Sequence, residues 1–164
     1  LFNNRFLKGG KDMFLDAIKQ FLKYSQKKSL WVFHVNTGSC NGCDIEILAL
    51  FSSKYDAERF GIKLVGSPKH ADILLVTGPV TTKSRDPLLR AYDMMPKPKA
   101  VVSVGVCSLS GGVFAKSYNV LGPVDNFIPV HVYVGGCSAH PNMILEGILR
   151  AAQILCEEEE LWSF

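Results

Sequence analysis

No apolar run in the sequence approaches the ~20 residues that a membrane-spanning helix requires. One of the longest, "ADILLVTGPV" at 71–80, is about half that length. A strong charge of either sign is also missing. Eighteen Lys and Arg stand against fifteen Asp and Glu, for a net charge of +3. No basic stripe interleaved with aromatics appears, so nucleic acid is not expected as a partner. Repeats and low-complexity tracts are absent. The stretch "LFNNRFLKGGKDMF" has neither the apolar segment nor the small-residue cleavage site of a signal peptide, so export is not expected and the cytosol is the default. Several chemical signatures are missing too. "GVCSLSGG" (105–112) has neither the spacing nor the downstream acid of a dinucleotide fingerprint. "GPVTTKSR" (78–85) lacks the Walker order, which leaves Lys83 and Arg85 as a basic loop facing water or a partner subunit. His34, His70 and His131 share no metal-ligand spacing and read as structural or solvated. There is no Ser–His–Asp pattern.

What remains is an ordinary globular composition, 48% apolar and 20% charged over 164 residues, enough for one domain with its own core. Within it are five cysteines. In a reducing compartment these point to metal or redox chemistry before structural disulfides.

Three segments are expected. Residues 1–28 form an N-terminal extension, in which "KDMFLDAIKQFLKYS" (11–25) puts Phe14, Ile18, Phe21 and Leu22 on one face of a helix. That helix packs either on its own domain or against a partner or membrane-bound subunit. Residues 29–156 form the main domain. Residues 157–164 form an acidic and apolar tail, with four consecutive glutamates repelling one another into water and Leu161, Trp162 and Phe164 at the chain end.

In the main domain, strands are expected at 29–35, 61–66, 71–78, 98–107 and 130–137, and helices at 44–51, 86–95 and 141–155. Pro141 suits the first turn of the last helix. Continuous apolar strands alternating with helices predict a three-layer α/β domain, doubly wound around a parallel sheet.

"TGSCNGCDIEIL" (37–48) carries Cys40 and Cys43 just after the first strand. Cys107 ends the fourth, and Cys137 ends the fifth after Gly135 and Gly136. Loops at the carboxyl ends of parallel strands gather on one edge of the sheet, where ligands bind. Four thiols separated by almost a hundred positions therefore meet there. Gly38, Gly42, Gly105, Gly111 and Gly112 accompany them, and a bulky inorganic group needs backbone close by, with N–H groups aimed at sulfur. Cys156 does not fit. A helix from residue 141 carries it roughly 20 Å toward the opposite edge, at about 1.5 Å per residue, and it reads as a structural cysteine. Four thiolates suit zinc or a 4Fe–4S cube. One close pair with two singletons at strand ends of a large α/β domain favours the cube. A thioredoxin-like dithiol leaves Cys107 and Cys137 unexplained.

"GSCNGCDIEIL", "FGIKLVGSPKHADILLVTGPVT", "GVCSLSGG" and "NVLGPVDNFIPVHVYVGGC" resemble the small subunit of membrane-bound, energy-converting (group 4) nickel–iron hydrogenases. That group is similar in turn to the complex I subunit carrying the terminal iron–sulfur cluster. The resemblance covers about residues 29–155. It implies a flavodoxin-like fold and one proximal 4Fe–4S cluster on Cys40, Cys43, Cys107 and Cys137. Complex I subunits place their first two cysteines side by side; here Asn41 and Gly42 intervene, as in the hydrogenases. Glu46 matches an acidic position of both branches, with a role in anchoring the cluster loop or passing protons. Read from the residues alone, it is a carboxylate favoured by a helix N-terminus. After the last ligand the family's Pro-rich sequence is replaced by Ser138-Ala139-His140-Pro141, and Gly135 and His131 stand where relatives often carry Pro and Asp. Ser138 and Ser110 are candidates for hydrogen bonds that tune the cluster's potential, and His140 for an interface cation or a solvated helix-start residue.

The resemblance further implies an electron relay on the cytoplasmic face of the membrane. Its partners are a nickel–iron large subunit that holds the catalytic site, a ferredoxin-like iron–sulfur subunit and membrane ion-translocating subunits, with ferredoxin as ultimate donor. The alternatives are a related nickel-free oxidoreductase that reduces sulfur compounds or a quinone, and a structural zinc-binding α/β module.

Overall fold

The structure, a computed structural model, describes residues 29–161, with side chains as far as Cys156. The helix expected at 11–25, the rest of the N-terminal extension and the last three residues lie outside the described residues.

Five strands build the main sheet: β1 (Leu30–Asn36), β2 (Ile62–Leu64), β3 (Ile73–Thr77), β5 (Ala100–Val104) and β7 (Val132–Val134). All neighbours pair parallel, in the spatial order β2-β1-β3-β5-β7. Counted along the chain within this sheet, that is the 2-1-3-4-5 order of flavodoxin-like folds. The helices are α1 (Gly42–Leu50), α2 (Arg85–Met94), α3 (Val106–Ser110) and α4 (Pro141–Leu161).

The strands are apolar on both faces because both are covered. Every residue of β3 and β5 is buried. Alternate side chains feed two cores, as the two-residue period of a strand demands. Ile73, Leu75, Val102 and Val134 pack with Ile47 and Leu50 of α1 and with Ile144, Ile148 and Leu155 of α4. Leu74, Val76 and Val101 face the other way, toward Leu88 of α2, Met95, Val124 and Ile128. Each fully buried aliphatic side chain contributes about 1.5–3 kcal/mol of transfer free energy, so the two layers fix the sheet firmly beneath its loops.

Two side-chain details tighten this packing. Gly147 lets α4 lie close on β7: a Cβ there would stand 2.4 Å from Val134 Cγ2. His131 extends β7 toward β5 with a side chain in place of backbone. Its N–H donates to the Val101 carbonyl (3.0 Å), and its Nδ1 accepts the Val101 N–H (3.0 Å).

Three features depart from the sequence reading. A small antiparallel sheet joins β4 (Val80–Thr81) to β6 (Val120–Gly122), where only a basic loop was expected around 78–85. Strands of two or three residues are too short to show periodicity. Cys107 sits on the short helix α3 and not on a strand end. Finally, α4 continues through the glutamate run to Leu161, since glutamate is a good helix former and extends the helix.

Candidate metal centre

Strand register lines up the carboxyl ends of four strands. Asn36 pairs with Thr77, Thr77 with Val104, and Val104 with Val134. At about 4.8 Å per strand, these ends form one short row. Cys40 and Cys43 follow Asn36, while Cys107 and Cys137 each come three residues after Val104 and Val134. The four sequence-predicted thiols therefore occupy one edge.

The first pair is held by an ordered turn. Asn36 Oδ1 accepts the N–H groups of Gly38 (2.8 Å) and Ser39 (2.9 Å), and Asn41 adopts a left-handed conformation (φ 68°) that starts α1. The turn is tied to β3 by Thr37, whose hydroxyl donates to the carbonyls of Thr77 (2.9 Å) and Gly78 (2.8 Å). Asp44, next to Cys43, accepts hydrogen bonds from Thr77 Oγ1 (2.5 Å), Asn36 Nδ2 (2.5 Å) and Ser39 Oγ (2.6 Å), with His34 Nε2 at 3.1 Å.

Cys107 is anchored from below. The buried Ser108 hydroxyl donates to the carbonyls of Val104 and Gly105 (2.8 Å each) and accepts from Ser103 (2.8 Å). On the third loop, the Ala139 N–H donates to Cys43, which binds the Cys137 turn to α1.

The thiols share one electrostatic neighbourhood. Burial pushes Cys43 up, the Ala139 N–H partly opposes it, and the charges of Cys40, Asp44 and Cys137 push it further. Burial likewise raises Cys107, with Cys137, Cys40 and Cys43 adding to the effect. A cationic centre among these loops would favour the thiolates of Cys43 and Cys107, which burial and the neighbouring thiols otherwise disfavour.

The surroundings leave room for one. A Cβ on Gly105 (φ +88°) would lie 2.5 Å from Cys43 Sγ, and one on Gly112 (φ +52°) would lie 3.0 Å from Cys107 Sγ. At Gly105 a side chain would clash outright, and at Gly112 it would press on Cys107 in a backbone conformation that side chains rarely adopt. Among the described residues, no three His, Cys, Asp or Glu side chains gather closely enough to hold a single metal ion. Four soft sulfur donors, a backbone N–H aimed at one of them and glycine clearance at two fit a polynuclear iron–sulfur group.

Other predicted residues fall into place around these loops. Glu46 lies on α1 with Oε1 3.5 Å from Ser138 Oγ, beside Cys137. His140 Nδ1 accepts the Asn142 N–H (3.3 Å) at the start of α4, and its ring packs edge-on against Tyr55. Ser110 donates its hydroxyl to the Val106 carbonyl (3.1 Å), so that hydrogen is spent within α3 and not on a sulfur. Cys156 lies along α4 against the core, far along the helix from Pro141. His70 packs edge-on against Trp31. Lys83 is exposed in the turn after β4, and Arg85 is exposed at the first position of α2. The residues that sequence reasoning missed are Asp44, Thr77, Ser103 and Ser108. Asp44 and Thr77 meet through the pairing of β1 with β3, whereas Ser103 and Ser108 bond each other across the turn from β5 into α3.

The fold is thus flavodoxin-like, with four thiols on loops at one edge of its parallel sheet. The chain matches the family described as NADH ubiquinone oxidoreductase, 20 Kd subunit, over residues 40–151, and it belongs to that family. It is 54% identical over 130 residues to a probable membrane-bound hydrogenase subunit mbhJ of Pyrococcus furiosus, covering 79% of this chain and 78% of the relative. It is 47% identical over 144 residues to formate hydrogenlyase subunit 7 of Escherichia coli; here 88% of this chain spans 56% of the relative's length. Among solved structures, the membrane-bound sulfane sulfur reductase (MBS), an archaeal respiratory membrane complex, superposes with a TM-score of 0.71 at 37% identity, over 83% of this chain and 75% of that one. The resemblance to energy-converting hydrogenase small subunits and their complex I relatives is thus borne out. The chain is an electron-transfer subunit of a membrane-bound hydrogenase or a related complex I-like oxidoreductase. No helix among the described residues is long and apolar enough to cross a membrane.

Proposed function

We propose that the chain is the small subunit of a membrane-bound nickel–iron hydrogenase, with Cys40, Cys43, Cys107 and Cys137 holding one proximal 4Fe–4S cube. When bound, such a cube supplies one-electron transfer. The observation that carries this reading is the register of β1, β3, β5 and β7, which brings three thiol-bearing loops to one edge. The chain's own contribution is to hold the four sulfurs, bury Cys43 and Cys107 in part, and aim the Ala139 N–H at Cys43. The nickel–iron site lies on a separate large subunit. Electrons arrive from ferredoxin through a ferredoxin-like iron–sulfur subunit, protons are reduced to hydrogen, and ion-translocating subunits in the membrane use the released energy. The complex then sits on the cytoplasmic face. Glu46, within reach of Ser138 beside the last thiol, serves as loop anchor or proton carrier at the subunit boundary.

One observation favours a second reading. The likeness to the sulfane sulfur reductase complex extends over most of the chain, and a relay subunit serves a nickel-free partner equally well. Metal analysis of the intact complex separates the two. Nickel at about one atom per complex, with hydrogen evolution from reduced ferredoxin, supports the hydrogenase. An iron-containing complex without nickel that reduces polysulfide or a quinone supports the alternative.

A further inference from the structure

The sequence gives Asp44 no evident task beyond favouring a helix N-terminus. The structure shows a denser arrangement. Its side chain is only 14% exposed, and both oxygens are occupied by side chains from three places: Thr77 at the end of β3, His34 and Asn36 on β1, and Ser39 in the cysteine loop. A carboxylate placed only for the helix dipole would bond backbone N–H groups of the first turn. Here it bonds side chains instead, spanning up to 33 positions in sequence.

We propose that Asp44 is a positioning residue for the cysteine loop, clamping Cys40 and Cys43 to the ends of β1 and β3 while placing a fixed, uncompensated negative charge beside them. The proposal rests on the reading that these thiols hold an iron–sulfur cube.

Among the described residues the charge is uncompensated, because its partners are neutral. Thr77, Ser39 and Asn36 carry no charge. His34 is held below its ordinary pKa by burial, against the opposing pull of Asp44, so its Nε2–H donates as a neutral imidazole. The same Nε2 lies 3.0 Å from Thr77 Oγ1, which closes the network. No Lys or Arg among the described residues pairs with Asp44. Asp44 directly follows Cys43 in the first turn of α1, which sets the charge beside that residue of the loop. A fixed negative charge near an iron–sulfur group opposes the gain of an electron and lowers its reduction potential. One residue thus fixes the loop geometry and biases the potential downward.

The test uses the assembled complex and an EPR-monitored redox titration of the proximal cluster. In Asp44→Asn, which keeps the shape and removes the charge, the midpoint is expected to rise, while Asp44→Glu stays near wild type. An unmoved midpoint in Asp44→Asn, or equal shifts in both variants, overturns the proposal and leaves the cube intact. Should Asp44→Asn lose the cube, Thr77→Ala decides, because it keeps the charge and removes one strand of the clamp. Faster loss of iron to a chelator than in wild type supports the proposal; the wild-type rate overturns it. A wild-type complex with no cube removes the underlying reading, and the proposal with it.

Discussion

A Cβ placed on Gly105 would stand 2.5 Å from Cys43 Sγ, a separation real atoms do not tolerate, at a backbone φ of +88° that side chains rarely adopt. The turn after β5 and the first cysteine loop are therefore packed against each other with nothing between them. Gly105→Ala is expected to displace Cys43, so iron bound per chain falls several-fold relative to wild type. Gly66→Ala serves as the control, since an added Cβ there meets nothing within 4 Å and its φ is not in the left-handed region. Iron content of both variants, measured after anaerobic purification, checks this.

Ser108→Ala removes a buried hydroxyl that joins Ser103 to the carbonyls capping β5. The unpaired Ser103 hydroxyl and lost bonds cost about 1–3 kcal/mol. A lower urea midpoint, read by far-ultraviolet circular dichroism, is the expected outcome. An unchanged midpoint would show that the Cys107 turn does not depend on this pair.

Gly147→Ala sets two effects against each other. Alanine improves helix propensity by about 1 kcal/mol. The new methyl would stand 2.4 Å from Val134 Cγ2, on a stiff β-branched side chain in the sheet. Overpacking of this kind costs about 1–3 kcal/mol, so the net change is a loss of roughly 1 kcal/mol. Thermal unfolding of the variant beside wild type measures it.

His34 gives the chain an acid sensitivity. Its folded pKa lies below the ordinary 6.5, chiefly through burial. The unfolded chain therefore binds a proton more readily than the folded one. Stability is unaffected above pH 6.5 and is lost as pH falls from there toward the folded value. Between about pH 7.5 and about pH 5.5, wild type is expected to lose more stability than His34→Gln. Asp44, also depressed, acts at lower pH, near and below its ordinary 3.8. Urea titrations at the two pH values test the difference in slope.

The parallel sheet was legible because fully buried strands such as "ILLVT" and "AVVSV" advertise themselves as unbroken apolar runs. The shared edge of Cys40, Cys43, Cys107 and Cys137 followed from topology alone, since every parallel strand ends on the same side. Less was visible where structure depends on register. Asp44 meets Thr77 only because β1 pairs with β3 in one particular alignment, and nothing local in "NGCDIE" announces that contact. The same holds for His34, which lacks any metal-ligand spacing yet belongs to the network around the cysteine loop. The short elements β4, β6 and α3 fall below the length at which periodicity speaks. Glu46 was singled out by family likeness and Ser138 by its place after the last thiol, but that the two meet is seen only in the structure.

The most direct test of the account is iron, sulfide and zinc analysis with EPR on anaerobically purified protein, wild type beside Cys→Ser variants at 40, 43, 107, 137 and 156. The account predicts brown wild-type protein with about four irons and about four sulfides per chain and a signal on reduction. That cluster is lost or severely depleted in the first four variants and retained in Cys156→Ser. Colourless protein holding one zinc, or a cluster that survives removal of any of the four while depending on Cys156, would contradict it.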